Sequence, residues 1–101
     1  MLIYNVTIQL HHSIHELWLK WMQEKHMPEI MNTNCFAKCQ LVKLLEIDET
    51  EGVTYAAQYY AVDQEHYNNY IQNFATKFRN DSFELWGNQF IAFRSLMQVV
   101  N

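Results

Sequence analysis

A chain of 101 residues that is half hydrophobic and 15% aromatic has the size and composition of one compact folded unit, and two glycines with a single proline argue against a linker or disordered tract. Seven basic against eleven acidic residues give a formal charge of −4 with no cluster of Lys and Arg, so nucleic acid is not an expected partner. The apolar runs are too short to span a bilayer, no basic region precedes the first strand pattern, and Cys35 and Cys39 are too far apart on a strand for easy pairing; a cytoplasmic location with reduced thiols is expected, without membrane or signal segment.

Met1 to Leu10 alternates: Leu2, Tyr4, Val6, Ile8 and Leu10 share one face, while Met1, Ile3, Asn5, Thr7 and Gln9 share the other. This predicts a central strand with helices on its apolar side and something partly polar against the second. Ser13 with Glu16 forms a capping-box pattern, and Ile14, Leu17, Trp18, Trp21 and Met22 follow as a stripe of helical spacing. Pro28 removes an amide donor, so the helix should end or kink near His26, with Pro28 to Met31 as a further turn and Asn32 to Asn34 as a loop.

Alternation returns from Cys35 to Ile47, with Cys35, Ala37, Cys39, Leu41, Leu45 and Ile47 on one side and Phe36, Lys38, Gln40, Val42 and Leu44 on the other. Asp48 to Gly52 reads as a hairpin connection into a returning strand, Val53 to Val62, dense in β-branched and aromatic residues. Asp63 can cap a second helix with the stripe Tyr67, Tyr70, Ile71, Phe74 and Phe78, and Asp81 with Glu84 can cap a short third helix closed by Gly87. Phe90 to Val100 alternates again, Phe90, Ala92, Arg94, Leu96 and Gln98 on one face and Ile91, Phe93, Met97 and Val99 on the other.

The order strand, helix, strand, strand, helix, strand is the split βαβ arrangement of ferredoxin-like domains, an α+β fold with a four-stranded antiparallel sheet and helices on one side. Right-handed crossovers place the first and third strands centrally. Residues 1–101 are expected to form one such domain. Pooling the second faces brings Asn5, Thr7, Lys38, Gln40, Gln58, Tyr60, Arg94 and Gln98 among Ile3, Val42, Leu44, Ala56, Phe90 and Leu96. That face is too apolar for water and too polar for an ordinary core, so two copies pairing sheet to sheet as a homodimer are inferred.

These patterns resemble the dimeric α/β-barrel branch of the ferredoxin-like superfamily. More narrowly, Ile3-Tyr4-Asn5-Val6-Thr7, the Trp18-x-x-Trp21-Met22 helix running into His26-Met27-Pro28, the segment Gly52-Val53-Thr54-Tyr55-Ala56-x-Gln58-Tyr59 and the ending Phe90-x-Ala92-Phe93-Arg94 are similar to an uncharacterised bacterial family known as a domain of unknown function. The resemblance spans nearly the whole chain and implies the fold and the dimer, but no established activity. The wider superfamily includes haem-degrading and quinone-forming monooxygenases, isomerases and proteins with no known activity, and fold does not choose among them.

His26 before Pro28 is the leading catalytic candidate. An imidazole there can serve as a base or haem ligand, or simply bond a free carbonyl at a helix end. Asn5, Gln40, Gln58, Tyr60 and Arg94 are the candidate ligand-binding set, with Arg94 holding a carboxylate and Tyr60 donating a hydrogen bond; their alternative is to pair with one another or across a dimer. His11, His12 and His15 lack a carboxylate or Cys to complete a metal site, so no metal is expected. Trp18, Trp21, Tyr67, Tyr70 and Phe74 read as core or as an aromatic wall. No phosphate loop, nucleophile motif or cofactor-binding motif is visible. The reading is a small cytoplasmic homodimer that binds a small apolar or mildly acidic molecule; the alternative is a haem-using or cofactor-independent monooxygenase or isomerase acting through His26.

Overall fold

The computed structural model describes residues 1–101. Four strands, β1 (Leu2–Leu10), β2 (Lys38–Lys43), β3 (Val53–Ala61) and β4 (Phe90–Gln98), form one antiparallel sheet of order β2-β3-β1-β4. The first and third strands are therefore central, as the split βαβ order requires. Pairing Tyr4 with Tyr59, Val6 with Ala57 and Ile8 with Tyr55 stacks the apolar sides of β1 and β3 on a single face. Helices cover that face: α1 (His15–Trp21), a π-helical turn (Met22–His26), α2 (Met27–Met31), α3 (Gln64–Asn73) and α4 (Ala75–Trp86). No helix is long and apolar enough to cross a membrane.

The core centres on Tyr4. Its ring lies 5.6 Å from that of Tyr70, 5.9 Å from Tyr67, 6.2 Å from Tyr59 and 6.3 Å from Phe36, tying β1 to β3, α3 and the segment before β2. Aromatic pairs at these separations add to the stabilisation from apolar burial. The regular strand β2 begins at Lys38, one residue after Ala37 donates to the Tyr60 carbonyl, because Cys35 and Phe36 turn into the core ahead of it.

The first helix behaves as Pro28 demands. Its buried residues Ile14, Trp18, Met22, His26 and Ile30 recur every four positions, a spacing that drifts about 40° per step around an α-helix of 3.6 residues per turn. One wide turn, in which the Met27 amide donates to the Met22 carbonyl, reverses part of that drift and keeps the row facing the sheet. It also relieves the crowding that the Pro28 ring would impose on the preceding α-turn. Leu17, expected in the stripe, faces solvent at 66% exposure.

Two capping expectations are corrected. Ser13 does not form a capping box: the helix opens with a 3-10 turn (His12–Ile14) capped by the His11 ring, and the Ser13 hydroxyl donates to the Gln89 side chain at 3.2 Å. Asp81 does not start a third helix either. The second helix breaks at Phe74 instead, and Asp81 lies inside α4, where it accepts from Lys77 at 2.8 Å. Asp63 caps α3 through the His66 amide, and Gly87 closes α4 at φ 58°. The structure agrees with both of these assignments.

Gly52 enters β3 against the end of β1. A Cβ at this position would stand 2.1 Å from the Leu10 carbonyl oxygen and 2.9 Å from its carbon. Backbone cannot yield as a flexible side chain does, so Gly52→Ala is expected to lower the unfolding free energy by about 2–4 kcal/mol. Urea denaturation followed by tryptophan fluorescence measures this; an unchanged midpoint contradicts the close approach.

Candidate binding site between helices and sheet

The wide turn delivers His26 to the centre of the molecule. Its ring stacks on Trp21 (centroids 4.2 Å apart, 23° between planes) and meets the edge of Phe78 at 5.7 Å. Only 7% of the residue is exposed, and its Nδ1 is buried without a hydrogen-bond partner in the protein. Burial penalises the imidazolium and lowers the pKa from 6.5 to about 4, despite the opposing influence of Asp81 and Glu29. The side chain is therefore a neutral imidazole at pH 7.

His26 lines a cavity of about 50 Å³ between the sheet and the helices. Trp18, Met22 and Ile30 form the wall on its own side, Tyr4, Val6, Ile8, Ala57 and Tyr59 the sheet floor, and Tyr70, Phe78, Arg79 and Ser82 the opposite wall. Phe90, Ala92 and Arg94 of β4 complete it. Arg79 donates to the Tyr4 hydroxyl at 3.2 Å, leaving the phenol oxygen satisfied inside an aromatic surround. Burial holds the hydroxyls of Tyr59 and Tyr70 well above the ordinary tyrosine range, so both remain protonated donors.

Arg94 is the main correction to the candidate set. It pairs with Val6, so Phe90, Ala92, Arg94, Leu96 and Gln98 belong to the helix-covered face, while Ile91, Phe93, Ser95 and Met97 lie on the open face beside Ile3, Asn5, Thr7 and Gln9. The alternation in this strand was legible but its side was not. The other four candidates do come together on the open face. Gln40 donates to Gln58 at 2.8 Å and to the Tyr60 hydroxyl at 3.1 Å, and Gln58 donates to Asn5 at 3.2 Å. Asn5 also donates to Thr7, and Lys38 lies 4.5 Å above the Tyr60 ring. These groups satisfy one another in a chain across three strands.

The clustered histidines separate. His11 bonds Ser13, His12 reaches the Glu49 carbonyl at 2.7 Å, and His15 meets the Tyr55 hydroxyl at 2.6 Å. No three His, Cys, Asp or Glu side chains are placed to hold a metal ion. Cys35 is buried, with the Asn69 amide 3.5 Å from its sulfur, and both cysteines are free. Arg79, Tyr4 and Ser82 were not singled out from the sequence. Arg79 follows the apolar stripe residue Phe78, and only the packing of α4 shows that this exposed residue also borders the cavity and reaches the Tyr4 hydroxyl.

A four-stranded antiparallel sheet with helices packed on one face and a cavity between the layers defines a ferredoxin-like domain. Residues 1–100 match the model of the family described as Domain of unknown function (DUF4286), and the chain belongs to that family. Among solved structures, a dimeric ferredoxin-like protein from an uncultured marine organism is similar at a TM-score of 0.76 and 14% identity, with 99% of this chain and 95% of that one covered. An EthD-family protein of Bacillus halodurans is similar at a TM-score of 0.69 and 10% identity, covering 99% and 100%. SnoaB, a cofactor-independent oxygenase from Streptomyces nogalater, is similar at a TM-score of 0.68 and 11% identity, covering 99% and 93%. At these identities the likeness is one of fold. No curated protein matches the chain.

Proposed function

We propose that this protein is a cytoplasmic homodimer that binds a small, largely apolar organic molecule in the cavity between helices and sheet. The observation that carries this reading is His26: a polar side chain at 7% exposure, with an unpartnered ring nitrogen, on the wall of an otherwise aromatic and aliphatic cavity. Buried polar atoms are nearly always satisfied; the indole nitrogens of Trp21 and Trp86 are also buried without partners, but of the three only His26 lines the cavity, where a ligand or ordered water can complete its bond. Dimerisation is supported by the open sheet face, where Ile91 and Phe93 are 56% and 66% exposed beside the Gln40–Gln58–Asn5 chain. A similar solved structure is itself described as dimeric.

Catalysis by His26, as in a cofactor-independent oxygenase or isomerase, is the second reading. Its support is the position of a neutral imidazole in a cavity of a fold that SnoaB shares. A base works best with a pKa near the operating pH, and about 4 lies well below it, which favours the binding role. Haem ligation by His26 is less well served, because the ring is stacked on Trp21 and the residue is only 7% exposed.

Native mass spectrometry of untagged protein taken quickly from its host tests the proposal. The expected spectrum is a dimer carrying a stoichiometric small organic mass, and His26→Phe is expected to lose the added mass while remaining dimeric. A monomer, or a dimer that never retains a ligand, overturns the proposal.

A further inference from the structure

The chain contains only two arginines, Arg79 and Arg94, and both line the same cavity although one comes from α4 and the other from β4. Neither meets a carboxylate. The four ion pairs of the structure engage Lys25, Lys43, Lys77 and His66, whereas the one side-chain bond of Arg79 goes to the neutral Tyr4 hydroxyl. No acidic residue lines the cavity, in a chain whose net charge is −4. Both arginines are exposed residues, so their charges stand at the cavity mouth, and both act electrostatically on the Tyr70 hydroxyl from that side. His26, buried at 7% exposure and with Nδ1 unpartnered, lines the same cavity.

We propose that Arg79 and Arg94 form a carboxylate-binding subsite at the mouth of this cavity, and that its ligand is a small monocarboxylate whose apolar body enters toward Phe78, Met22 and His26. The inference rests on the cavity being the binding site. Guanidinium presents a planar fork that matches a carboxylate with two parallel hydrogen bonds, and such charge-assisted bonds are stronger than neutral ones. A phosphate group is served less well. The site lacks a glycine-rich loop, and Arg79 and Arg94 are its only cationic residues. The cavity volume of about 50 Å³ suits a short aliphatic chain or the edge of a ring as the buried part of the ligand.

Titration of the isotope-labelled protein with butyrate, 1-butanol and inorganic phosphate, followed by NMR at His26, Phe78, Ala92 and the arginine Nε groups, tests the assignment. Butyrate is expected to shift these signals saturably and to bind at least about tenfold more tightly than 1-butanol, as charge-assisted hydrogen bonds imply. Arg79→Gln and Arg94→Gln are each expected to weaken butyrate by about tenfold and leave 1-butanol unchanged, with Arg94→Lys retaining part of the affinity. Equal binding of butyrate and 1-butanol overturns the carboxylate subsite while the cavity remains the binding site. Saturable binding of phosphate in preference to butyrate overturns the ligand class. Absence of any saturable shift with all three probes overturns the subsite together with the cavity reading.

Discussion

Acidification from pH 7 to pH 4 is expected to remove about 3 kcal/mol of stability through His26 alone. The imidazole is lowered from 6.5 to about 4 by burial, so between these values the unfolded chain binds a proton that the folded chain refuses. Stability rises with pH wherever the unfolded state holds more protons, so this contribution is complete above 6.5, declines as the pH falls toward 4 and changes no further below it. A gap of about 2.5 pH units at 1.36 kcal/mol each sets the size. The larger effect is burial in the wall formed with Trp21 and Phe78; Asp81 and Glu29 oppose it by pulling the pKa upward, and Lys77 adds to it by pulling downward. The depressed carboxyls of Asp48 and Asp63, each held down by hydrogen bonds, act in a lower window, because their ordinary value is 3.8. Urea midpoints measured from pH 4 to pH 8 give the slope. In His26→Phe the segment between 6.5 and 4 should flatten; an identical profile in both proteins shows that His26 is not buried in its neutral form.

Phe93→Glu is expected to convert the dimer to a monomer. Phe93 projects from β4 on the open sheet face, 66% exposed in one copy, between Ile91 and Met97 and across from Thr7. An isologous interface places the substitution twice, and burying an unpaired carboxylate costs several kcal/mol per ion. Affinity between copies should fall by about a thousandfold or more. Sedimentation velocity reads the change directly. Two controls fix its meaning. Arg94→Ala is on the opposite side of the sheet from Phe93 and should leave the dimer intact, and Phe83→Glu, on an outer surface at 65% exposure, should do the same. A dimeric Phe93→Glu protein shows that the copies meet through some other surface.

The placement of Arg94 separates local from tertiary information. Period-two alternation groups Phe90, Ala92, Arg94 and Leu96 together, but the same pattern is compatible with either side of the sheet. Leu10 opposite Phe90 and Val6 opposite Arg94 decide the side, and that register is a hydrogen-bonding fact between strands eighty residues apart in sequence. On β1 the question was easier, since five apolar residues faced five of mixed polarity. On β4 both faces carry large apolar side chains, so hydrophobicity could not arbitrate. The helices show the same limit. Asp81 and Glu84 have the spacing of a cap, yet α4 runs through them, because a helix packed along Ala75 and Phe78 outweighs a local capping preference.

What the sequence determined by itself was the element order, the central place of β1 and β3, the inward rows of those strands, and the location of His26 at a helix irregularity caused by Pro28. These follow from short-range rules: side-chain period, proline geometry, turn chemistry and the handedness of crossovers. Only the tertiary structure decided that His26 is buried and neutral, that Asn5, Gln40, Gln58 and Tyr60 satisfy one another on the open face, and that Arg94 joins Arg79 at a cavity beneath the helices. Each of those depends on which elements pack together and in what register, and separation along the chain carries no record of that.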